Sequence, residues 1–421
     1  MERIEMSTKD ANKAIVIGQI LEKKLSQKEA AIRLKLSTRQ IRRLTRRVQL
    51  QGPLAVVHKG KGRSSYRKIS DTMRHKILGL LEEKYPDFGP TLAAEKLYEI
   101  EGIKISNEYL RKLMISSGKW KAKQKRIVIH QQRNRRAQYG ELIQIDGSHH
   151  AWFEDRAPKC VALVFVDDAT SRLQKVYFCS SENLHNYFFA MHEYVQQYGC
   201  PLETYTDRHS VFTINHMRGG EKKGQTQFAR MLYDLNITQN LANSPQAKGR
   251  VERMNRVLQD RLVKEFRIAN ISSINEANAF MNKYITDYNK KFAKPATLEA
   301  DRHRELTSEQ KGNLEYIFAI QDNRKVSKAL TVQYENAVYA ISQVRAIRTL
   351  RKRGVKVYEL LNGDVKMFSD NRELAINILE YTQKDRKDIS RKELDTKLDH
   401  YLHMATRITN DTNNINNQPF C

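Results

Sequence analysis

At 421 residues the chain is too long for one ordinary domain, and about two to four are expected. An apolar content of 40% is enough for packed cores, yet the longest clean apolar run, residues 160–166, has the length of a strand and excludes a membrane span. The net charge of +26 is unevenly spread: residues 1–140 hold 33 Lys/Arg against 13 Asp/Glu, residues 141–280 hold 16 of each, and the remainder holds 25 against 19. A basic front third on a neutral middle points to a polyanionic partner held by the front. The four cysteines, Cys160, Cys179, Cys200 and Cys421, show no C-x-x-C spacing, so neither a zinc site nor a disulfide framework is expected. With no signal-peptide pattern, a cytoplasmic, nucleoid-associated setting is expected.

Residues 11–50 read as three short helices. Ser26 with Glu29 three residues on forms a capping box for the second, and Ser37-Thr38 opens the third. The run S-Q-K-E-A-A-I-R-L-K-L-S-T-R-Q-I-R-R-L resembles the helix-turn-helix of bacterial DNA-binding proteins. In that motif the second helix of the pair enters the major groove. Thr38, Arg39, Gln40 and Arg43 are then the groove-facing candidates, with Arg42, Arg46 and Arg47 nearer phosphates. Residues 51–69 read as a basic linker, 70–118 as a second helical DNA-binding unit capped by Ser70 and Ser106, and 119–139 as a basic connector.

From residue 140 the pattern turns α/β. Residues 142–146 read as a short strand ending in Asp146; 161–167 and 173–179 follow as strands and 183–198 as a helix. Residues 203–207 form a strand ending in Asp207, 209–224 a loop with Gly219, Gly220 and Gly224, 226–235 a helix and 237–242 a strand. Ser244-Pro245 then leads into a helix from about Lys248 whose apolar stripe is Val251, Met254, Val257/Leu258, Leu262 and Phe266. Glu252 sits on it among Lys248, Arg250, Arg253 and Arg256. Read alone, that helix is an ion-paired surface element. Two acids at strand ends and one on the following helix change this, because carboxylates gathered in a crevice need cations. Mg²⁺ or Mn²⁺ suits such oxygen ligands, and two ions roughly 3.5–4 Å apart can serve an in-line phosphodiester displacement. The four cations beside Glu252 would then hold DNA.

The blocks Q-I-D-G-S-H-H-A-W-F-E-D-R-A-P, L-V-F-V-D-D-A-T-S-R-L, Y-T-D-R-H-S-V-F and S-P-Q-A-K-G-R-V-E-R-M-N-R-V-L-Q-D-R-L-V-K-E, in this order, resemble bacterial insertion-sequence transposases with a retroviral-integrase-type DDE core, closest to the unclassified (ISNCY) subgroup. The resemblance implies an RNase H-like core over 140–295, with Asp146, Asp207 and Glu252 as the metal-binding and catalytic triad. It implies water-driven nicking at the element's terminal repeats, joining of the 3′-hydroxyl ends to target DNA, and a homodimer or larger synaptic assembly, with no membrane and no organic cofactor. The spacing of 44 residues between Asp207 and Glu252 is longer than the family's usual one, and the glycine- and lysine-rich loop after Asp207 accounts for it.

Other acids compete for notice. Asp167 and Asp168 are expected to stabilise the turn after their strand, while Glu154 and Asp155 are expected in a solvated hairpin loop. His149, His150 and His209 read as DNA or supporting contacts, and Trp152, Cys160 and Cys179 as core. Alternating residues in 330–341 and 355–367 suggest a small β-barrel over 325–370, and the charged tail 380–421 is expected to be partly disordered. Two other readings are a catalytically inactive DNA-binding regulator and an RNase H-like nuclease without strand transfer.

Overall fold

The computed structural model describes residues 7–57, 69–121, 134–214, 225–242, 248–342 and 350–381. The loop at 215–224, the Ser244-Pro245 turn, most of the basic connector and the tail beyond 381 lie outside the described residues. The chain divides into two compact units, residues 1–122 and 123–421.

The first unit holds two three-helix groups. α1 (Thr8–Leu21), α2 (Gln27–Leu34) and α3 (Thr38–Gln51) close on Val16, Ile17, Ala30, Ile41 and Val48. The Ser26–Glu29 capping box is present, and Ser37 caps α3 by accepting from the Gln40 N–H. α4 (Asp71–Glu83), α5 (Pro90–Glu99) and α6 (Asn107–Ser116) have a core of their own, including Ile77, Leu81, Phe88, Leu97 and Leu110. Ser70 and Ser106 cap α4 and α6, where their side chains take up orphan N–H groups.

The second unit opens with β1 (Gln138–Tyr139) and is built on β2 (Leu142–His150), β3 (Cys160–Asp167), β4 (Leu173–Cys179), α7 (Leu184–Tyr198), β5 (Glu203–Thr206), α8 (Gln227–Asp234), β6 (Thr238–Leu241), α9 (Gly249–Ile268) and α10 (Ile274–Phe292). The sheet order is β4-β3-β2-β5-β6. β2, β3 and β4 pair antiparallel, whereas β5 joins β2, and β6 joins β5, in parallel. That mixed order, with helices on both faces, is the RNase H-like topology. Successive strand residues face opposite sides. Ile143, Ile145, Leu163 and Phe165 face α7 and α8, while Ala162, Val164, Val166 and Phe178 face α9 and α10.

β2 is longer than expected. It runs on through Gly147, Ser148, His149 and His150, which pair with β3 down to Cys160. Asp146 therefore lies mid-strand opposite Val164, not at a strand end. Sequence reading stopped at the acid because D-G-S-H-H is polar; pairing with a wholly buried neighbour overrides that local signal. Glu154 also departs from expectation. The β2–β3 connection folds over the end of α9, where Glu154 pairs with Arg267 and Arg156 donates to the Phe266 and Ile271 carbonyls.

Beyond α10 the chain keeps contact with the sheet. β7 (Leu298–Asp301) pairs with β1, and His303 bridges Asp301 (2.6 Å) and the buried Tyr194 hydroxyl (2.7 Å). Gly140, at φ +75°, leaves room for that imidazole: a Cβ there would meet His303 Nδ1 at 2.4 Å. α11 (Ser308–Gly312) and α12 (Leu314–Ile317) follow, with Leu306, Leu314, Ile317 and Phe318 joining the α7/α8 core.

The C-terminal strands form two sheets. β8 (Ile320–Lys325), β11 (Gly354–Glu359), β12 (Val365–Ser369) and β13 (Arg372–Leu374) make one, in the order β13-β12-β11-β8. β9 (Thr331–Tyr334), β10 (Ala337–Ile341) and β14 (Ile376–Tyr381) make the other. Both feed one apolar core that includes Val332, Tyr339, Val357 and Met367. Among the described residues the sheets do not close into a ring, so the expected barrel is corrected to two open sheets around a shared core.

Phe266 is fully buried on the inner face of α9, stacked on Phe153 and edge-on to Phe178. Phe266→Ala is expected to cost about 3–5 kcal/mol by the lost apolar burial and the cavity left behind. Urea unfolding followed by tryptophan fluorescence measures it, and a loss under about 1 kcal/mol would contradict this packing.

Candidate active site

The site grows from one face of β2. Gln144, Asp146 and Ser148 alternate onto the side covered by α9, and each meets it through a hydrogen bond. Gln144 Oε1 accepts from the Val251 N–H at 3.1 Å. Asp146 Oδ2 accepts from Asn255 Nδ2 at 2.8 Å. Ser148 Oγ accepts from Gln259 Nε2 at 3.0 Å. Asp207 follows directly on β5, the parallel neighbour of β2, and its Oδ1 accepts from the His209 N–H at 2.9 Å.

The remaining oxygens of the two aspartates turn toward one cation. Lys248 Nζ stands 2.6 Å from Asp146 Oδ1 and 3.5 Å from Asp207 Oδ2. Lys248 is 5% exposed. Burial pushes the Asp146 carboxyl above its ordinary value; the Lys248 ammonium opposes this, and Asp207 and Glu182 reinforce it. Glu182 was not singled out in the sequence. Its carboxylate lies over Gly147, where a Cβ would come within 2.5 Å, and it accepts from the Tyr187 hydroxyl at 2.7 Å. Burial raises the Tyr187 phenol well above its usual range, and the charges of Glu182, Asp146 and Asp207 add to that. No motif flagged Glu182, because only the fold brings the β4–α7 turn to Gly147.

Glu252 lies in the first turn of α9, half-buried. Lys248, Glu252, Asn255 and Gln259 recur at intervals of four, three and four, so they share one helix face. Both helix neighbours of Glu252 on that stripe bond Asp146. Among the described residues Glu252 itself makes no hydrogen bond or ion pair, and no three His, Cys, Asp or Glu side chains stand close enough to hold a metal ion together. The donor set that does converge is a pair of carboxylate oxygens. That pair fits a hard cation such as Mg²⁺, which is commonly held by one or two carboxylates and keeps several waters. Asn255 Oδ1, beside it, is buried and without a partner.

Of the four cations expected to face DNA from α9, Lys248 and Arg250 are turned onto acids. Arg250 is 2.9 Å from Asp168, which also takes the Gln144 amide at 2.7 Å and the Arg136 N–H at 2.8 Å. Arg253 and Arg256 are exposed. Asp167 accepts from Thr170 and Gly140 backbone N–H groups, anchoring the β3–β4 turn. On α3, Thr38, Arg39, Gln40, Arg42, Arg43 and Arg46 are exposed. Arg47 is drawn inward, its guanidinium donating to the Ala55 and Val57 carbonyls. His149 sits 3.1 Å from Glu182, and His150 lies edge-on to the buried Trp152.

A raised folded-state pKa means that Asp146 favours folding in its protonated form. That contribution is lost as pH rises from the usual carboxylate range through the Asp146 value. Asp146→Asn abolishes this loss. In chelator-treated protein, the melting temperature of the variant relative to the parent is therefore expected to climb from about pH 4 upward. Thermal melts across pH measure it, and a flat or falling difference would contradict the dominance of burial over the Lys248 ion pair at Asp146.

No protein-family model matches the chain. It is 40% identical over 363 residues to a Sinorhizobium fredii protein carrying the provisional name transposase y4bF, covering 86% of this chain and 79% of that one. It is 30% identical over 395 residues to the transposase for insertion sequence IS1202 of Streptococcus pneumoniae, covering 85% and 83%. Among solved structures, a magnesium complex of the HTLV-2 integrase catalytic core (dimeric form) aligns with a TM-score of 0.29 at 19% identity, over 37% of this chain and 90% of that one. A simian T-cell lymphotropic virus intasome in complex with the PP2A regulatory subunit B56 gamma aligns with a TM-score of 0.31 at 14% identity, over 74% and 100%. At these scores the structural likeness adds no weight to the sheet order itself. The two sequence relatives span most of both chains, and on them this chain belongs to the transposases of bacterial insertion sequences, which are polynucleotidyl transferases.

Proposed function

We propose that the protein binds the terminal repeats of its mobile element, nicks DNA there and joins the freed 3′-hydroxyl to target DNA. The observation that carries the chemical half is the meeting of Asp146 and Asp207, from adjacent parallel strands, under the α9 face that bears Glu252. Asp146 and Asp207 would hold Mg²⁺ or Mn²⁺, with Glu252, which shares the α9 stripe of Lys248 and Asn255, as the third ligand. Such ions, when bound, activate an attacking oxygen and stabilise the leaving one. In the first step a water oxygen forms a bond to phosphorus, the bond to the 3′ oxygen breaks, and that oxygen takes up a proton. In the second, the new 3′-hydroxyl attacks a target phosphorus and displaces the target's own 3′ oxygen. Neither step needs a covalent bond to the protein. Asn255 and the His209 N–H orient the two carboxylates throughout.

Exposed α3 supplies the end-reading surface, with Thr38, Arg39, Gln40 and Arg43 toward base edges and Arg42 and Arg46 toward phosphates. The exposed Arg253 and Arg256 would hold the strand being cut. Two ends must be cut and joined, which calls for a homodimer or larger synaptic assembly. The described residues contain no helix long and apolar enough to cross a membrane.

Asp207→Asn is expected to abolish Mg²⁺-dependent nicking of end-containing DNA while leaving end binding intact. Gel assays of cleavage and binding on the same protein test this, and retained cleavage would sink the assignment. Nicking without strand-transfer products would instead favour a structure-specific nuclease. Arg39→Ala and Arg43→Ala are each expected to weaken end binding by about 1–3 kcal/mol. Fluorescence anisotropy at fixed salt reads that loss, and unchanged binding would remove α3 from the interface.

A further inference from the structure

The contact between Lys248 and both aspartates has a consequence beyond holding them. Each carboxylate has one oxygen committed elsewhere: Asp146 Oδ2 to Asn255 and Asp207 Oδ1 to the His209 N–H. Each has its other oxygen on Lys248 Nζ, at 2.6 and 3.5 Å. The ammonium thus occupies the point on which the two free oxygens converge. A cation there stands where a divalent ion would have to bind to share both carboxylates. One ammonium offsets one of two negative charges, whereas a divalent ion offsets both. Two cations at that point would repel each other. Lys248 is also well placed to leave. It is the residue immediately before α9, carries no side-chain cap bond for that helix, and sits on a long, rotatable stem.

We propose that Lys248 is the resident counter-cation of the metal-free site and that a divalent ion must displace its ammonium to bind between Asp146 and Asp207. This rests on the reading of that pair as the metal-holding carboxylates. Before loading, the lysine keeps the two acids gathered and the site closed to adventitious charge. After loading, the ammonium is released from the acids to the edge of the site, where a DNA phosphate is its natural partner. Metal and DNA binding would therefore be linked through one side chain, each favouring the other by the same factor.

The test uses full-length protein and Mn²⁺ alone. Isothermal titration calorimetry of Lys248→Met is expected to show about tenfold tighter Mn²⁺ binding than the parent, within the usual range of site-to-site coupling. Lys248→Arg should stay within about threefold of the parent, because it keeps a competing charge. Equal or weaker binding by Lys248→Met would overturn the proposal. A second readout needs no variant: acetylation of Lys248 in the parent, followed by mass spectrometry, should be slow without metal and speed up severalfold on adding Mn²⁺. A rate unchanged by Mn²⁺ would equally overturn it. Asp207→Asn separates the two levels of inference. Its loss of Mn²⁺ binding alongside an unaltered Lys248→Met affinity would defeat only the exchange, whereas full Mn²⁺ binding by Asp207→Asn would defeat the reading of the site itself.

Discussion

The second unit depends on how α9 is seated on β2. Three alternate residues of that strand, Gln144, Asp146 and Ser148, each reach the helix through a side-chain hydrogen bond. Gln144 and Ser148 are buried, so leaving these groups unpaired would cost desolvation with nothing in return. The seam therefore fixes the rotation and register of α9 more sharply than its apolar stripe could, since apolar contacts are non-directional. The strand's period of two and the helix's stripe at 248, 252, 255 and 259 meet along it. Glu252 is consequently carried to the side of Asp146, whatever its own side chain does.

Further buried charge lies around that seam. Asp168, with no exposed surface, binds Arg250, Gln144 and the Arg136 backbone, which ties the start of α9 to the β3–β4 turn. An unpaired carboxylate at that depth would cost several kcal/mol, so the ion pair and its hydrogen bonds form one cooperative unit. The consequence for function is positional. Two of the α9 cations are committed to organising acids, and the exposed Arg253 and Arg256 are left toward solvent. Charge density in the sequence and charge available at the surface are different quantities in this unit.

Much of this was legible in the residues. The capping serines at 26, 37, 70 and 106 marked helix starts because short polar side chains satisfy orphan N–H groups locally. The clean apolar run at 160–166 marked β3 as a strand by its length. What local pattern missed was set by pairing over long separations. β2 extends past Asp146 because β3 lies beside it, and Glu154 is ion-paired because its loop crosses the end of α9. The C-terminal alternation gave strands correctly but not closure, since a period of two says which face is buried and nothing about whether edges meet.

By itself the sequence determined the element types, the basic front and neutral middle, and the acids worth watching, because caps, periodicity and charge are properties of neighbours in the chain. The tertiary structure alone decided which side chains share a volume. Asp146 and Asp207 are 61 positions apart in sequence, yet both lie within 3.5 Å of one ammonium, because parallel pairing sets β5 beside β2. Glu182 joins their electrostatic environment only because Gly147 lets its carboxylate approach the strand. Whether Lys248 faces solvent or acids was equally undecided by its place among arginines. Burial and the geometry of two carboxylates settled it, as an ammonium withdrawn from water must find its counter-charges nearby.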